Sequence, residues 1–341
     1  MPATLQDFED VFPKLIPDLE QECTLPSRTL EWFTKSLCYN TLGGKCNRGL
    51  SVIDTAAILL GRPLSEQEFF DTAALGWMIE LFQAFMLVTD DIMDASKTRR
   101  RQPCWYLVPG IGMIAINDAC MLESSIYIIL KKKFRQHPLY VEMMELLHEV
   151  SYKTEVGQSC DMITAPEDAD ITTYTMEQYL FIVAHKTAYY SFYLPIALAL
   201  MYTEKSTAGN LRAAREISLE MGEYFQVQDD YLDAFADPAV LGKIGTDIQD
   251  NKCSWLILQA MAKCTPYQLS SLQSIYGRKD PVCEMRVKIL YRHLALDLVY
   301  EAYEADKVAR IEEMIQGVDE SDGLRQEVFH AFLSKIHKRV K

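Results

Sequence analysis

Asp90, Asp91 and Asp94 close an apolar stretch, and Lys97, Arg99, Arg100 and Arg101 follow at once: residues 88–106 read V-T-D-D-I-M-D-A-S-K-T-R-R-R-Q-P-C-W-Y. On a helix, Asp90 and Asp94 project from one face, where like charges at this spacing cost about 0.2–0.5 kcal/mol per pair. A face that accepts this cost beside an apolar run suits a cation. The oxygen-only donor set fits magnesium, which binds through one or two carboxylates and takes its other ligands from water and phosphate. The cations that follow fit phosphate, because the guanidinium fork grips it at two points. Alone, the motif reads better as a solvated helix end. A second copy changes the balance: residues 225–233 read F-Q-V-Q-D-D-Y-L-D, with Asp229, Asp230 and Asp233 at the same spacing and Lys243 and Lys252 beyond. Two acidic faces, each with cations beside it, can clamp one diphosphate through bridging metals.

Helices must position these groups. No stretch alternates at period two, so no sheet is expected and the fold class is all-α. From Ala73 to Val88 the pattern is apolar nearly all round, which predicts a centrally buried helix running into the first motif. Gln83 sits inside it, near the face of Asp90, and a buried glutamine needs partners. Ser65 with Glu68 predicts a capping box at the start of that helix, and Thr265 with Gln268 another, with Pro266 in its first turn. Residues 1–40 read as amphipathic helices broken by Pro13, Pro17 and Pro26. Gly43 and Gly44 allow a tight loop before Lys45 and Arg48, which are spaced to point together. By themselves these two read as solvated cations on a turn. Residues 140–160 and 210–236 are expected to be helical, the second carrying Gln226 one turn before Asp230. Met176 to Met201 is expected to be a helix kinked at Pro195. It holds Lys186 and Thr187 among aromatic residues, where a lysine must snorkel out or find an anion.

Composition narrows the classes. The 341 residues are 49% hydrophobic, ample for a core, and carry a net charge of −14 with a pI near 5.0. Bulk attraction to nucleic acid is therefore not expected, and an acidic substrate must be met by local basic clusters and metal. Nine scattered cysteines without a C-x-x-C pair argue for a reducing, cytoplasmic setting. The acidic start M-P-A-T-L-Q-D-F-E-D does not read as a signal peptide. The longest apolar run, Phe192 to Tyr202, falls short of the ~20 residues a bilayer span needs.

Together these blocks resemble the trans-isoprenyl diphosphate synthase family, in its fungal and animal branch. The resemblance runs from about Tyr39 to Lys341. It rests on G-G-K-C-N-R-G-L at 43–50, the two D-D-x-x-D motifs, and G-K-I-G-T-D-I-Q-D-N-K-C-S-W at 242–255. It implies one large helical domain over residues 1–341, of the isoprenoid synthase type, with an active-site cavity between helices. Magnesium would be held by Asp90, Asp94, Asp229, Asp230 and Asp233. Isopentenyl diphosphate would meet Lys45, Arg48, Gln83 and Arg100. The allylic diphosphate would meet Arg99, Lys186, Thr187, Gln226, Lys243 and Lys252, with Arg99, Lys186, Thr187 and Gln226 acting in catalysis. Asp161 of a G-Q-x-x-D block would orient Lys186.

The implied reaction is head-to-tail condensation of an allylic diphosphate with isopentenyl diphosphate. In the family, large side chains at the positions of Phe85 and Met86 form the floor that stops growth at fifteen carbons. Farnesyl diphosphate is thus the expected main product, with geranyl or geranylgeranyl diphosphate as alternatives. By themselves the two residues read equally as core packing. The family also implies a homodimer. A class I terpene cyclase would share the fold and the first motif but not need Lys45, Arg48 and Gln83. A non-catalytic partner subunit would be expected to lose one motif, and a plain helical scaffold leaves both unexplained. The chain departs from the family at Arg101, where glycine is usual, and at Val340 in the basic tail. If that glycine takes a positive φ, arginine must adopt it at a cost.

Overall fold

The computed structural model describes residues 3–22, 25–166, 169–236 and 245–337. Its elements are helical apart from one short hairpin: α1 (Leu5–Glu9), α2 (Phe12–Glu20), α3 (Ser27–Thr41), α4 (Asn47–Leu60), α5 (Glu66–Met93), β1 (Thr98–Arg99), β2 (Gln102–Pro103), α6 (Ala115–Phe134), α7 (Tyr140–Thr164), α8 (Met176–Ile182), a π-helical segment (Val183–Tyr193), α9 (Leu194–Tyr202), α10 (Ala208–Phe235), α11 (Trp255–Lys263), α12 (Pro266–Ile275), α13 (Pro281–His293), α14 (Leu296–Gln316) and α15 (Gln326–Ile336). The all-α expectation holds. The chain forms two compact units, one of Met1–Ser151, Tyr190–Ala214 and Val318–Phe332, the other of Tyr152–Tyr189, Arg215–Gly317 and Leu333–Lys341.

In the first unit α5 is the core element. Ser65 caps it through the expected box, accepting from the Glu68 N–H at 3.3 Å while the Glu68 carboxylate accepts from the Ser65 N–H at 2.7 Å. Every residue from Thr72 to Phe82 is buried. Trp77 stacks on Phe8 with centroids 4.3 Å apart and donates its indole N–H to the Phe8 carbonyl. Helix α4 crosses α5 where Gly49 meets Gly76: a Cβ on Gly76 would lie 2.6 Å from the Gly49 carbonyl oxygen. That approach requires glycine at 76, while a Cβ on Gly49 would instead run into the Phe8 ring. Helix α9, buried from Leu194 to Met201, completes this core.

Among the described residues two helical stretches, Glu66–Met93 and Gly112–Phe134, are long and apolar enough to cross a membrane by length and composition. The expectation from the longest unbroken run missed both, because each is interrupted by isolated polar residues. In α5 the apolar surface goes into the core, 78% of its most apolar 18 residues being buried; in the second stretch 44% is buried.

In the second unit α8, α10, α11, α13 and α14 enclose Tyr179, Val227, Trp255, Val287 and Tyr291. Tyr231 stacks on Tyr300 at 4.0 Å. Thr265 and Gln268 form the expected box at the start of α12.

Three local readings are corrected. Pro17 lies inside α2 and Pro13 in its first turn, so neither ends that helix; a first-turn proline lacks only an N–H that has no helical partner. Pro195 likewise sits in the first turn of α9, and the departure from α geometry begins earlier, at Val183. The hairpin β1–β2 pairs Thr98 with Pro103 and Arg99 with Gln102, antiparallel. Strands of two residues carry no period to read.

Candidate active site

The first unit carries the first motif on the last turn of α5. The two neighbouring aspartates behave oppositely. Asp91 is buried and accepts from Arg99 Nη2 at 2.6 Å and Nε at 3.1 Å. Asp90 is more accessible, with Arg99 Nη2 at 3.6 Å. Asp94 is the C-cap of α5, its N–H on the Asp90 carbonyl at 2.8 Å. Arg99 thus neutralises the inner aspartate and sits beside the outer one.

Arg100 and Arg101 form the two-residue turn of the hairpin, with φ of 52° and 64°. Positive φ at both positions is what a type I′ turn demands, and it favours glycine. The position where the family has glycine does have a positive φ here, and arginine adopts it. Arg100 Nη1 donates to the carbonyls of Asn40, Thr41 and Leu42 at 2.9–3.1 Å, closing the C-terminal end of α3. The hairpin is further fixed by the Tyr39 hydroxyl, which donates to the Pro103 carbonyl at 2.7 Å.

Lys45 is exposed on the loop before α4. Arg48 is held on three sides. Its Nε donates to Ser191 Oγ at 2.9 Å and its Nη2 to the Tyr190 hydroxyl at 3.2 Å, with the guanidinium 4.8 Å above the Tyr190 ring. In the amide orientation that satisfies both neighbours, Gln83 accepts from Arg48 Nη1 at 3.0 Å and donates to Glu80 Oε2 at 3.1 Å. Two helical turns along α5 separate this group from the motif. Between them lie half-buried Phe85, 6.1 Å from Phe82 ring to ring, and buried Met86.

The second unit repeats the inner-and-outer arrangement. Asp230 is buried, and its carboxylate accepts from the Tyr179 hydroxyl (2.8 Å), the Trp255 N–H (2.8 Å) and Gln226 Nε2 (3.0 Å). Burial pushes its carboxyl up to about 8, with Asp247 adding to the rise and the hydrogen bonds opposing it. Asp229 is more accessible. Asp233 accepts from the Asp247 N–H at 3.2 Å. The other end of Gln226 accepts from Thr187 Oγ1 at 3.1 Å. Lys186 and Lys252 both donate to Asp161 Oδ2, at 2.7 and 2.9 Å. Burial works against the Asp161 charge, but the two ammonium groups outweigh it and hold the carboxyl below its usual range. The expected contact between Asp161 and Lys186 is present, and it includes Lys252.

Lys186 and Thr187 lie on the π-helical segment. A Cβ on Gly157 of α7 would lie 2.2 Å from the Lys186 backbone nitrogen, so α7 and the π segment touch backbone to backbone. Lys252 is placed by two tyrosines: Tyr174 donates to the Asn251 carbonyl and Tyr276 to the Lys252 carbonyl, each at 2.7 Å. Lys243 and Val340 lie outside the described residues.

Among the described residues no three His, Cys, Asp or Glu side chains converge into a ready-made chelate. The outer aspartates instead offer separate carboxylate oxygens, a set that fits a hard cation completing its shell with water and phosphate. Sequence reasoning passed over Glu80, Asp247 and Tyr179. Glu80 alone carried a signal, as the one charged residue between Ala73 and Val88.

An all-α chain with twin aspartate motifs, each followed by cations, defines a synthase of the prenyl diphosphate class, and the sequence profile described as Polyprenyl synthetase matches residues 30–294. The chain belongs to that family. Among its relatives, the farnesyl pyrophosphate synthase of Schizosaccharomyces pombe is 53% identical over 98% of this chain and 97% of its own length. That of Gallus gallus is 46% identical over 98% and 92%. Among solved structures, T. brucei farnesyl diphosphate synthase complexed with risedronate superposes with a TM-score of 0.90 at 35% identity, covering 99% of this chain and all of that one.

Proposed function

We propose that this chain is a prenyltransferase that condenses dimethylallyl or geranyl diphosphate with isopentenyl diphosphate, giving mainly farnesyl diphosphate. The observation that carries this is identity of about half over nearly the whole length to several farnesyl pyrophosphate synthases, with both aspartate motifs intact.

Residues 1–341 work as one catalytic domain. Magnesium would be held by the more accessible carboxylates Asp90, Asp94 and Asp229 together with the buried Asp233, and when bound it would supply Lewis acidity that makes the allylic diphosphate a leaving group. Asp91 and Asp230 belong to the expected magnesium motifs, but their bonding to protein donors suits them to holding those motifs in shape. Arg99, Lys186, Lys243 and Lys252 add positive charge where the leaving group gains negative charge. The allylic C–O bond breaks, leaving an allylic cation beside the Thr187 hydroxyl and Gln226 carbonyl oxygens. The isopentenyl double bond, presented by Lys45, Arg48, Gln83 and Arg100, attacks it. A proton then passes to the released pyrophosphate, so no histidine base is required. The apolar walls exclude water that would quench the cation.

Phe85 and Met86 form the floor of the prenyl channel. Methionine is flexible and fills irregular gaps, so longer or shorter products are the second reading. The protein works in the cytoplasm, which suits its eight described free thiols, and cell fractionation tests that. It pairs as a homodimer.

Incubation with dimethylallyl and isopentenyl diphosphates and magnesium, with products separated by chain length, tests the reading. The expected result is a dominant fifteen-carbon product that lengthens in Phe85→Ala. No prenyl product overturns the function, and an unchanged spectrum in a folded, active Phe85→Ala variant overturns the floor.

A further inference from the structure

Glu80 is a carboxylate in the wrong place for a core. It lies midway along α5, 1% exposed, among residues that are all buried and nearly all apolar. Burial pushes its carboxyl up, while Arg48, the Gly49 N–H and Arg100 oppose that rise. A buried acid persists only where it is fully bonded, and its bonds point one way.

Its Oε1 accepts from the Gly49 N–H at 2.9 Å. Gly49 is in the first turn of α4, where N–H groups have no helical partner. The residue that should cap them, Cys46, has φ of 49° and makes no side-chain cap bond. Glu80 therefore caps α4 from the neighbouring helix. The glycine crossing makes this reach possible, because a Cβ on Gly49 would lie 3.2 Å from Glu80 Cγ.

Its Oε2 accepts from the Gln83 amide nitrogen at 3.1 Å. This second bond has a directional consequence. A glutamine amide can present either end to a neighbour, but an ionised carboxylate accepts only. Glu80 thus compels Gln83 to turn its nitrogen inward and its oxygen toward Arg48. Arg48, in turn, spends one N–H on Gln83, one on Ser191 and one on Tyr190. A guanidinium has five donors, so two N–H groups on a ring-stacked, fixed fork are left for an anion.

We propose that Glu80 is a positioning residue that sets the affinity for isopentenyl diphosphate, by fixing the polarity of the Gln83 amide and through it the aim of the Arg48 guanidinium. This rests on the function proposed above.

The test is Glu80→Gln in the full chain, with steady-state rates measured while isopentenyl and geranyl diphosphates are varied separately. The variant keeps an oxygen for the Gly49 cap but offers Gln83 a donor, so the amide can reverse. We expect the KM for isopentenyl diphosphate to rise about tenfold, the effect of one misdirected charged hydrogen bond, while the KM for geranyl diphosphate and kcat change less than about twofold. Glu80→Asp, which keeps an acceptor-only group one methylene shorter, should show the same split more weakly. Unchanged KM values, or an equal rise for both substrates, overturns the proposal. So does failure of both variants to fold, because the carboxylate would then be a structural cap alone. An unsubstituted chain that makes no product overturns the function itself, and is thereby told apart from failure of the Glu80 assignment.

Discussion

Asp91 and Asp230 are each the second aspartate of a D-D pair, and each is turned into the protein, one onto Arg99 and the other onto Tyr179, Trp255 and Gln226. Spacing alone does not separate them from their neighbours, because adjacent residues on a helix lie only about 100° apart and the pair does not itself say which of the two the core takes. Their environments predict different responses to pH. The folded pKa of Asp230, about 8, lies above its ordinary 3.8. Its contribution to stability is therefore complete below about pH 4 and is lost as pH rises through about 8. Asp161, held below its ordinary value by two lysines, contributes in the opposite sense: its share is present above about pH 3.8 and lost as pH falls through its lower folded value. In metal-free protein, the melting temperature should fall less between about pH 5 and pH 8 in Asp230→Asn than in the unsubstituted chain. Parallel melting curves would refute the assignment.

The hairpin between α5 and α6 carries Arg99 on its first strand and Arg100 and Arg101 in its turn, where Arg101 adopts a left-handed conformation that strains a residue with a side chain. Arg101→Gly should relieve that strain and stabilise the fold by about 1 kcal/mol, read as a higher melting temperature with product formation retained. A lower melting temperature would mean that the Arg101 side chain contributes more than its backbone costs. How far such elements are legible in the sequence follows from how local their causes are. The helices and the Ser65 and Thr265 caps are written in short-range patterns and were readable. The π segment was not, because its residues suit an α-helix equally; close packing with α7 at Gly157 accompanies the change. The Glu80–Gln83–Arg48 chain was half readable. Arg48 and Gln83 stood out by resemblance, whereas Glu80 gains its role from a helix crossing that no local pattern encodes. Asp90 and Asp229 were recognisable as types, but the inward turn of their neighbours depends on Arg99, Tyr179 and the Trp255 backbone, of which only Arg99 lies close to its motif in sequence.

At the scale of the molecule, Met113 and Ile114, in the turn just before α6, and Ile116 in its first turn are 60%, 48% and 51% exposed. Exposed apolar residues grouped in this way mark an interaction surface. The chain should sediment as a dimer at micromolar concentration, and Ile116→Lys should shift it toward the monomer; a monomeric unsubstituted chain would refute the pairing. The order in which the chain is made has a further bearing. The first unit draws on Met1–Ser151 but also on Tyr190–Ala214 and Val318–Phe332. The bed into which α9 fits, built from α4 and α5, therefore leaves the ribosome well before α9 does, and it stays open until more than half of the protein has been synthesised. Domains that fold during synthesis close from the N-terminus as units. This one cannot: its earliest-made residues wait for nearly the last. The nascent chain should hold an uncovered apolar groove along α5 from the completion of that helix at Met93 until α9 is made at Tyr202, which makes it a client for holding chaperones, and truncation before Val318 should be more damaging than the modest length of the missing piece suggests.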